Sequence, residues 1–300
     1  MDMTQNKCCR HGASLRRRRC RRRKILRSII FSCSIIAVAV FVAVGSSMIR
    51  AGDGRTNRYD VEAGNNTYDN AVIENSKISE KNKIQNNQSM LDDIMNSTQY
   101  PKQLKDLALK NEEALEFVYD YPAEHVKEHT IDLTEEASMD SVPLFVQWDK
   151  RWGYEKYSGN FFAASGCGPT TLSMVVVYLT HNRDASPIAV AKYSKEAGYS
   201  VDGSGSSWTL ISEGCMHYGV KAKAVALDES RMKAELDEGH PIVVNVGPGD
   251  FTDTGHFMVI TGYDDEGFSI NDPNSIEKSG KRWLFKNISS QIRAVWSMYV

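Results

Sequence analysis

Cysteine is scarce in this 300-residue sequence, which contains six, four of them within the first 33 positions. Residues 51–300 contain only Cys167 and Cys215. This count excludes a disulfide scaffold, because 250 residues with two thiols must rely on a hydrophobic core for stability. A single disulfide between Cys167 and Cys215 is one interpretation of the pair.

The sequence also lacks the patterns that bind phosphates and metal ions. It has no Gly-x-x-x-x-Gly-Lys-Ser/Thr phosphate loop. The run 202–207 is rich in Gly and Ser but has no lysine, so we interpret it as a loop that ends in a helix cap. Five histidines show no metal-ligand spacing with cysteines or carboxylates, and we expect no cofactor and no metal ion. They are His125, His129, His181, His217 and His240.

Acidic residues are nearly absent from the first 50 positions, which hold one of the 38 Asp and Glu residues but 12 of the 36 Lys and Arg residues. A basic run at 16–24 leads into an apolar stretch at 25–49, in which Arg27 is the one charged residue. The 22 uncharged residues from 28 to 49 are enough for a helix to span about 30 Å of hydrocarbon. The sequence therefore predicts a transmembrane helix or signal anchor at 25–49.

The charge asymmetry also predicts the orientation of this span. Because an excess of Lys and Arg marks the cytoplasmic side, we expect residues 1–24 to form a basic cytoplasmic tail and residues 51–300 to lie outside the cell. The alternative is a signal peptide cleaved in the small-residue region 45–47, which would make the protein secreted. No aromatic residues interleave the arginines, so we expect no nucleic-acid partner.

Composition divides the remaining residues into three regions. Residues 51–89 are polar with few bulky apolar side chains, which is typical of a flexible stalk. In the region 90–140, apolar residues recur at helical spacing as far as Tyr121, which predicts a helical segment that packs onto the main domain. Residues 142–300 are long enough to form that domain around one core.

The order of elements predicted within 142–300 indicates an α+β domain, because helices come first and a strand-rich half follows. Helices are predicted at 167–179, 206–218 and 229–237. Strands are predicted at 142–147, 220–226, 242–246, 257–263, 268–271, 283–285 and 295–300.

One cysteine lies where the sequence predicts the start of a buried helix. In the run Ser165-Gly166-Cys167-Gly168-Pro169, Ser165 is a candidate N-cap and Pro169 suits a first helical turn. The helix dipole favours an anion at this position, which lowers the pKa of the Cys167 thiol and increases its nucleophilic thiolate form. The flanking glycines would let a substrate carbonyl approach the backbone closely.

His256 and Asp272 are candidate partners for this thiol. His256 heads a predicted strand, and Asp272 closes the next one, 16 residues later. If the loop between them is 262–266, the two residues pair directly across the ladder; if it is 264–267, they lie three positions out of register and a bulge is needed. In either case Asp272 can orient the imidazole and His256 can take the proton of Cys167, which is the triad arrangement of a cysteine hydrolase.

Gln147 is a candidate for a fourth role, because its side-chain amide could join the Cys167 backbone N–H in holding a tetrahedral oxyanion. A cysteine taken alone is more often buried and structural than catalytic. Together with His256, Asp272 and Gln147, we interpret Cys167 as catalytic. Cys215 shares a predicted helix face with two apolar residues and is expected to belong to the core.

Four motifs in this order carry a family resemblance: Gln147-Trp148-Asp149, Ser165-Gly166-Cys167-Gly168-Pro169-Thr170, Gly255-His256-Phe257 and Asn271-Asp272-Pro273-Asn274-Ser275. They resemble the bacteriocin-processing cysteine peptidases that cut double-glycine leader peptides, and more closely that family's stand-alone relatives on bacterial surfaces. The resemblance implies a papain-like fold with Cys167 as nucleophile and His256 as base. It also implies that Asp272 orients the imidazole and that Gln147 belongs to the oxyanion hole. Unlike the members that are fused to an exporter, this chain has one predicted span and no phosphate loop.

These features predict a membrane-anchored, extracellular cysteine peptidase that acts as a monomer on a peptide or protein substrate. One alternative is an amide transferase or amidase that uses the same triad. Another is a non-catalytic surface module that binds peptides. A disulfide between Cys167 and Cys215 would favour the binding module, because it would remove the nucleophile.

Overall fold

The computed structural model describes residues 65–300, with side chains from residue 79 onward. The predicted basic tail at 1–24 and the predicted membrane span at 25–49 lie outside the described residues. Among the helices that are described, none is both long and apolar enough to cross a membrane. By its contacts the chain divides after Asn75, and residues 76–300 form one unit.

The segment before the main domain is largely helical. Helix α1 runs over Asn65–Asn96, so the structure differs from the flexible stalk predicted for this region. Its side chains from residue 79 are mostly exposed, and pairs one turn apart, such as Gln88 with Asp92 at 2.8 Å, support a polar helix of this kind. It is followed by α2 (Lys102–Lys110), a 3₁₀ turn (Glu112–Ala114), α3 (Leu115–Tyr119), α4 (Tyr121–Glu124) and α5 (Thr134–Ser138).

Helices α1 to α4 pack through an apolar cluster that they share with the main domain. In α2, the residues Leu104, Leu107 and Ala108 lie on one face and are buried, as the spacing i, i+3, i+4 predicts. Phe161 and Ala163 of the main domain belong to the same cluster. The apolar periodicity of this region therefore corresponds to helices that are docked on the main domain.

The main domain begins with a helical half. Helix α7 (Cys167–Thr180) is apolar on nearly all sides and buried along most of its length, as expected for a central helix. The helices are α6 (Phe162–Ser165), α7 (Cys167–Thr180), α8 (Pro187–Glu196), α9 (Thr209–Ser212) and a 3₁₀ helix (Gly214–Tyr218). Two short hairpins pair β1 (Lys156–Tyr157) with β2 (Asn160–Phe161), and β3 (Ser200–Val201) with β4 (Gly205–Ser206).

Three local predictions differ from the structure in this half. The helix predicted at 206–218 is interrupted and forms α9 and the 3₁₀ helix. Helix α8 was not predicted, although Ser186 caps it by accepting the N–H of Ala189 at 3.3 Å and Pro187 occupies its first position. Within the described chain, residues 142–146 have no regular secondary structure and Gln147 lies in a turn, so the strand predicted at 142–147 is not formed.

The second half is an antiparallel six-stranded sheet in the order β5-β10-β6-β7-β8-β9. The strands are β5 (Lys221–Ala224), β6 (Ile242–Val246), β7 (His256–Asp264), β8 (Gly267–Asn271), β9 (Arg282–Trp283) and β10 (Ile292–Tyr299). The helices of this half are α10 (Glu229–Asp237), α11 (Ile276–Ser279), α12 (Phe285–Ile288) and a 3₁₀ turn (Ser289–Gln291).

Alternate side chains of the central strands enter two apolar layers, one on each face of the sheet. Val243, Phe257 and Val259 belong to the layer that contains α7. Val244 and Met258 belong to the layer on the other face, with residues of α10 and α12. The α+β prediction is confirmed, and the start of α7 lies against β7.

Candidate active site

Cys167 is the first residue of α7. Gly166 stands at the N-cap position, and no side chain of the described residues caps this helix. The prediction that Ser165 is the cap is wrong, because its Oγ donates to the Tyr157 carbonyl at 2.8 Å instead. The thiol therefore lies at a helix end whose first N–H groups and dipole favour an anion.

The glycines on either side of Cys167 are required by close packing. A Cβ at Gly166 would lie 2.6 Å from the Phe162 ring, and a Cβ at Gly168 would lie 2.5 Å from Ser206 Oγ. The space beside both glycines is thus filled by the protein itself. Packing is therefore sufficient to explain both glycines, and the approach of a substrate carbonyl to the backbone at this point stays a prediction.

His256 and Asp272 form a buried hydrogen-bonded pair. His256 begins β7, and its Nε2 lies 2.7 Å from Asp272 Oδ1. The carboxylate is fully buried and the imidazole is nearly so. Because Nε2 is engaged by the carboxylate, Nδ1 is the ring nitrogen left to interact with the Cys167 thiol, which is among the groups that raise the pKa of His256.

The strand register near the turn is that of the second predicted alternative, with a loop at 264–267 and a bulge. A two-residue turn at 265–266 joins β7 to β8, and a bulge at Thr261 reduces the offset between the strands. Continued past the last ladder pair, this register sets Asp272 two positions away from His256 on the same face of the sheet. The required bulge is therefore present, and the two side chains meet as a diagonal pair.

One hydrogen bond between α7 and β7 holds the thiol near the imidazole. Thr171 lies one turn after Cys167, and its Oγ1 donates to the Phe257 carbonyl at 3.1 Å. Since Phe257 directly follows His256, this bond fixes the start of the helix against the start of the strand. Thr171 was not among the predicted site residues. Its spacing of four residues from Cys167 indicates that the two side chains share a helix face.

The surroundings of the thiol and the imidazole favour the charged form of each. Burial would raise the pKa of Cys167, but the hydrogen bond and charge of His256, together with the N–H groups of Phe257 and Gly168, outweigh it and lower the pKa. Burial would lower the pKa of His256, but Asp272 and the thiolate raise it to about 10. The arrangement therefore stabilises a thiolate–imidazolium pair at neutral pH.

Gln147 connects the segment before Cys167 with the loop after Asp272. Its Nε2 donates to the Ala163 carbonyl in α6 at 2.7 Å, and its backbone N–H donates to the Pro273 carbonyl at 2.7 Å. Among the described residues, its buried Oε1 has no hydrogen-bond partner. The structure thus places the amide next to α6, the helix that leads directly into Cys167.

Cys215 has a different environment. It is fully buried in the core of the helical half, as predicted, and burial raises its pKa to about 11. Both cysteines of the described chain are free thiols, so no disulfide joins Cys215 to Cys167. Within the part of the chain that the structure describes, no three His, Cys, Asp or Glu side chains are arranged to hold a metal ion.

The fold and the site together define a class of protein. An α+β domain in which a cysteine at a helix N-terminus lies beside a histidine–aspartate pair is a cysteine-peptidase-type domain. A model of the Peptidase_C39-like family matches residues 139–300. Because this match covers more than half of the chain, the protein belongs to the Peptidase_C39-like family, and the resemblance based on the four sequence motifs is confirmed.

Solved structures of similar proteins were also found. One is the peptidase domain of Streptococcus ComA, a bi-functional ABC transporter involved in a quorum-sensing pathway, with 19% identity over 53% of this chain and 96% of that chain, and a TM-score of 0.38. Another is a C39-like peptidase from Bacillus anthracis, with 18% identity over 53% of this chain and 95% of that chain, and a TM-score of 0.33. A comparison with curated proteins found no match.

Proposed function

We propose that the protein is a membrane-anchored, extracellular cysteine peptidase that hydrolyses a peptide bond in a peptide or protein substrate. The observation that carries this proposal is the series of contacts from the Cys167 thiol through His256 to Asp272, in which imidazole and carboxylate are 2.7 Å apart. In such a series the histidine activates the thiol and the carboxylate fixes the imidazole. Family membership supports the same chemistry.

Each of four residues has a distinct role in the proposed reaction. The Cys167 thiolate attacks the carbonyl carbon of the scissile bond. His256, oriented by Asp272, protonates the leaving amine and then takes a proton from the water that hydrolyses the acyl-enzyme. Gln147 donates one Nε2 hydrogen to Ala163, and its second joins the Cys167 backbone N–H in stabilising the oxyanion.

The membrane anchor is part of the same proposal and is supported by the sequence of residues 1–49. The basic tail at 1–24 is expected inside the cell and the peptidase domain outside. A protease added to intact cells should therefore degrade an epitope placed after Val300 and spare one placed before Met1. Protection of both epitopes would contradict the orientation.

The direct test of the activity is peptide cleavage by the purified full-length chain in detergent. A synthetic peptide library is incubated with the wild-type protein and with the Cys167→Ala variant, and the products are identified by mass spectrometry. We expect new termini with the wild type only. An added primary amine separates the reaction types, because a peptidase releases mainly the free carboxylate from the acyl-enzyme, whereas an amide transferase forms mainly the amide of the added amine. Binding of peptides without any product would overturn the peptidase in favour of a non-catalytic module.

A further inference from the structure

Two residues of the segment before the peptidase domain contact the loop that carries Asp272. Asn111 and Glu113 lie at the 3₁₀ turn after α2, and more than 160 residues separate them from the residues they bind, which are 274–277. No sequence motif connects the two regions.

Asn111 holds the loop at Asn274. Its Oδ1 accepts the N–H of Glu113 at 3.0 Å and so caps the 3₁₀ turn. Its Nδ2 donates to the Asn274 carbonyl at 2.9 Å and to the Asn274 Oδ1 at 3.0 Å. The indole of Trp148 donates to the same carbonyl at 3.2 Å. Asn274 is thus fixed by two separate parts of the chain.

Glu113 holds the loop at the start of α11. Its Oε2 accepts the N–H groups of Ile276 at 2.8 Å and Glu277 at 3.0 Å, and its Oε1 accepts the hydroxyl of Ser275. The first N–H groups of a helix have no partner within the helix itself. A carboxylate from the preceding segment therefore anchors α11 in place.

One further hydrogen bond links each of these two contacts to Asp272. Its Oδ1, which binds the imidazole, also accepts the N–H of Asn274 at 2.8 Å. Its backbone N–H donates to the Ser279 Oγ in α11 at 2.9 Å. A displacement of the residue held by Asn111, or of the helix held by Glu113, would consequently move the carboxylate relative to the imidazole.

We propose that Asn111 and Glu113 are positioning residues that hold the Asp272 carboxylate against His256, so that the helical segment before the domain is a working part of the peptidase. This inference rests on the proposed function, because it acts through the same triad. If the segment only stabilised the fold, loss of these contacts would lower the melting temperature without changing the state of the Cys167 thiol.

The test measures that thiol state in the full-length chain. The rate of Cys167 alkylation by iodoacetamide is followed by peptide-resolved mass spectrometry between pH 5 and 9. The test variants are Asn111→Asp, which keeps the capping oxygen but removes the donor to Asn274, and Glu113→Ala, with Glu113→Gln as its isosteric partner. The matched control is Glu112→Ala, which removes a carboxylate one residue away whose hydrogen bond is to Asn87, outside the loop.

We expect alkylation at pH 6 to slow by roughly three- to thirtyfold in Asn111→Asp and Glu113→Ala, as for residues coupled through one hydrogen-bond network, with the pH profile shifted upward. Glu113→Gln should show a smaller effect and Glu112→Ala none. In an Asp272→Ala background, the two substitutions should have no further effect. Thermal melting identifies any variant that is unfolded at the assay temperature. If Glu113→Ala is unfolded, the alkylation rates of Asn111→Asp and Glu113→Gln are compared with that of the wild type instead.

Two outcomes would overturn the inference while leaving the proposed function intact. The first is that the folded variants are alkylated at Cys167 at pH 6 at the same rate as the wild type. The second is slowing of equal size with and without the Asp272 carboxylate, which would show that the residues act by another route. Alkylation of the wild type only above pH 8 would instead contradict the proposed function, and this inference with it.

Discussion

The two cysteines of the helical half, Cys167 and Cys215, lie in environments that shift their pKa values in opposite directions. Burial acts to raise the pKa of both thiols, and for Cys215 it prevails and gives a value of about 11. At Cys167 the same effect is outweighed by His256 and by the N–H groups of Phe257 and Gly168. His256 and Phe257 are the first residues of β7, and Gly168 is the second residue of α7, so all three lie where this helix meets this strand.

The comparison shows that the helix alone does not make the thiol reactive. Cys167 gains its environment because Thr171 fixes α7 against β7 and because Asp272 holds the imidazole in place. Among the described residues, no charged group shifts the pKa of Cys215, and burial is the main cause of its raised pKa. The chemistry of each thiol is therefore a property of long-range packing.

The largest expected difference between the two cysteines is in catalysis. Cys167→Ala should reduce peptide cleavage by about 10⁴-fold or more, because removal of the nucleophile of a triad leaves only the contribution of binding and of the oxyanion hole. Cys215→Ala should keep activity within a few-fold of the wild type. Steady-state kinetics on both variants makes the comparison, and equal losses would contradict it.

The next largest effect is expected at Gln147. Its replacement by alanine should lower kcat by about 10²- to 10³-fold with little change in KM, as for loss of one oxyanion-hole donor. Gln291, another buried glutamine, hydrogen-bonds to Asp250 in the sheet half and is the matched control. A rise in KM with unchanged kcat for the Gln147 variant would assign it to substrate binding instead.

The pH dependence of cleavage should follow the thiolate–imidazolium pair. Activity should increase as pH rises through the lowered pKa of Cys167, since the thiolate is formed there, and should decrease when pH rises through the pKa of His256, about 10. Cleavage rates are measured from pH 4 to 10.5. They should change about tenfold per pH unit where the pH is below the pKa of Cys167 or above the pKa of His256. Activity that rises only above pH 8 would show that the thiol is not activated.

The smallest expected effect is on stability. Cys215→Ala removes a fully buried sulfur from the core and should reduce the free energy of unfolding by about 1–2 kcal/mol. Cys167→Ala, at a half-buried position, should cost less. Urea denaturation of both variants measures the difference, and a larger loss at Cys167 would indicate that its role is structural.

The sequence was informative where a signal is local. The hydrophobic periodicity of α7 and the central strands predicted the α+β fold, and motifs around Cys167, His256 and Asp272 indicated the candidate site. The strand register depended on a bulge at Thr261, which no local pattern specifies. For the segment 142–147 the sequence predicted a strand, but the backbone N–H at its end donates to the Pro273 carbonyl instead of to a ladder partner.

The contacts of Asn111 and Glu113 could not be predicted for a different reason. They join residues more than 160 positions apart, and their donors and acceptors are common polar groups in a short turn and a loop. Only the docking of the helical segment brings them together. Their role, like that of Thr171, is visible in the packing of the folded chain and not in the composition of either segment.

The most direct measurement is the alkylation rate of both cysteines in the same native, full-length protein, resolved by peptide mass spectrometry as a function of pH. We expect rapid modification of Cys167 at pH 6, slowed by His256→Ala, while Cys215 reacts only after unfolding. Reaction of Cys167 only as the pH approaches about 8.5, the ordinary pKa of a free cysteine, would show that its surroundings do not activate the thiol.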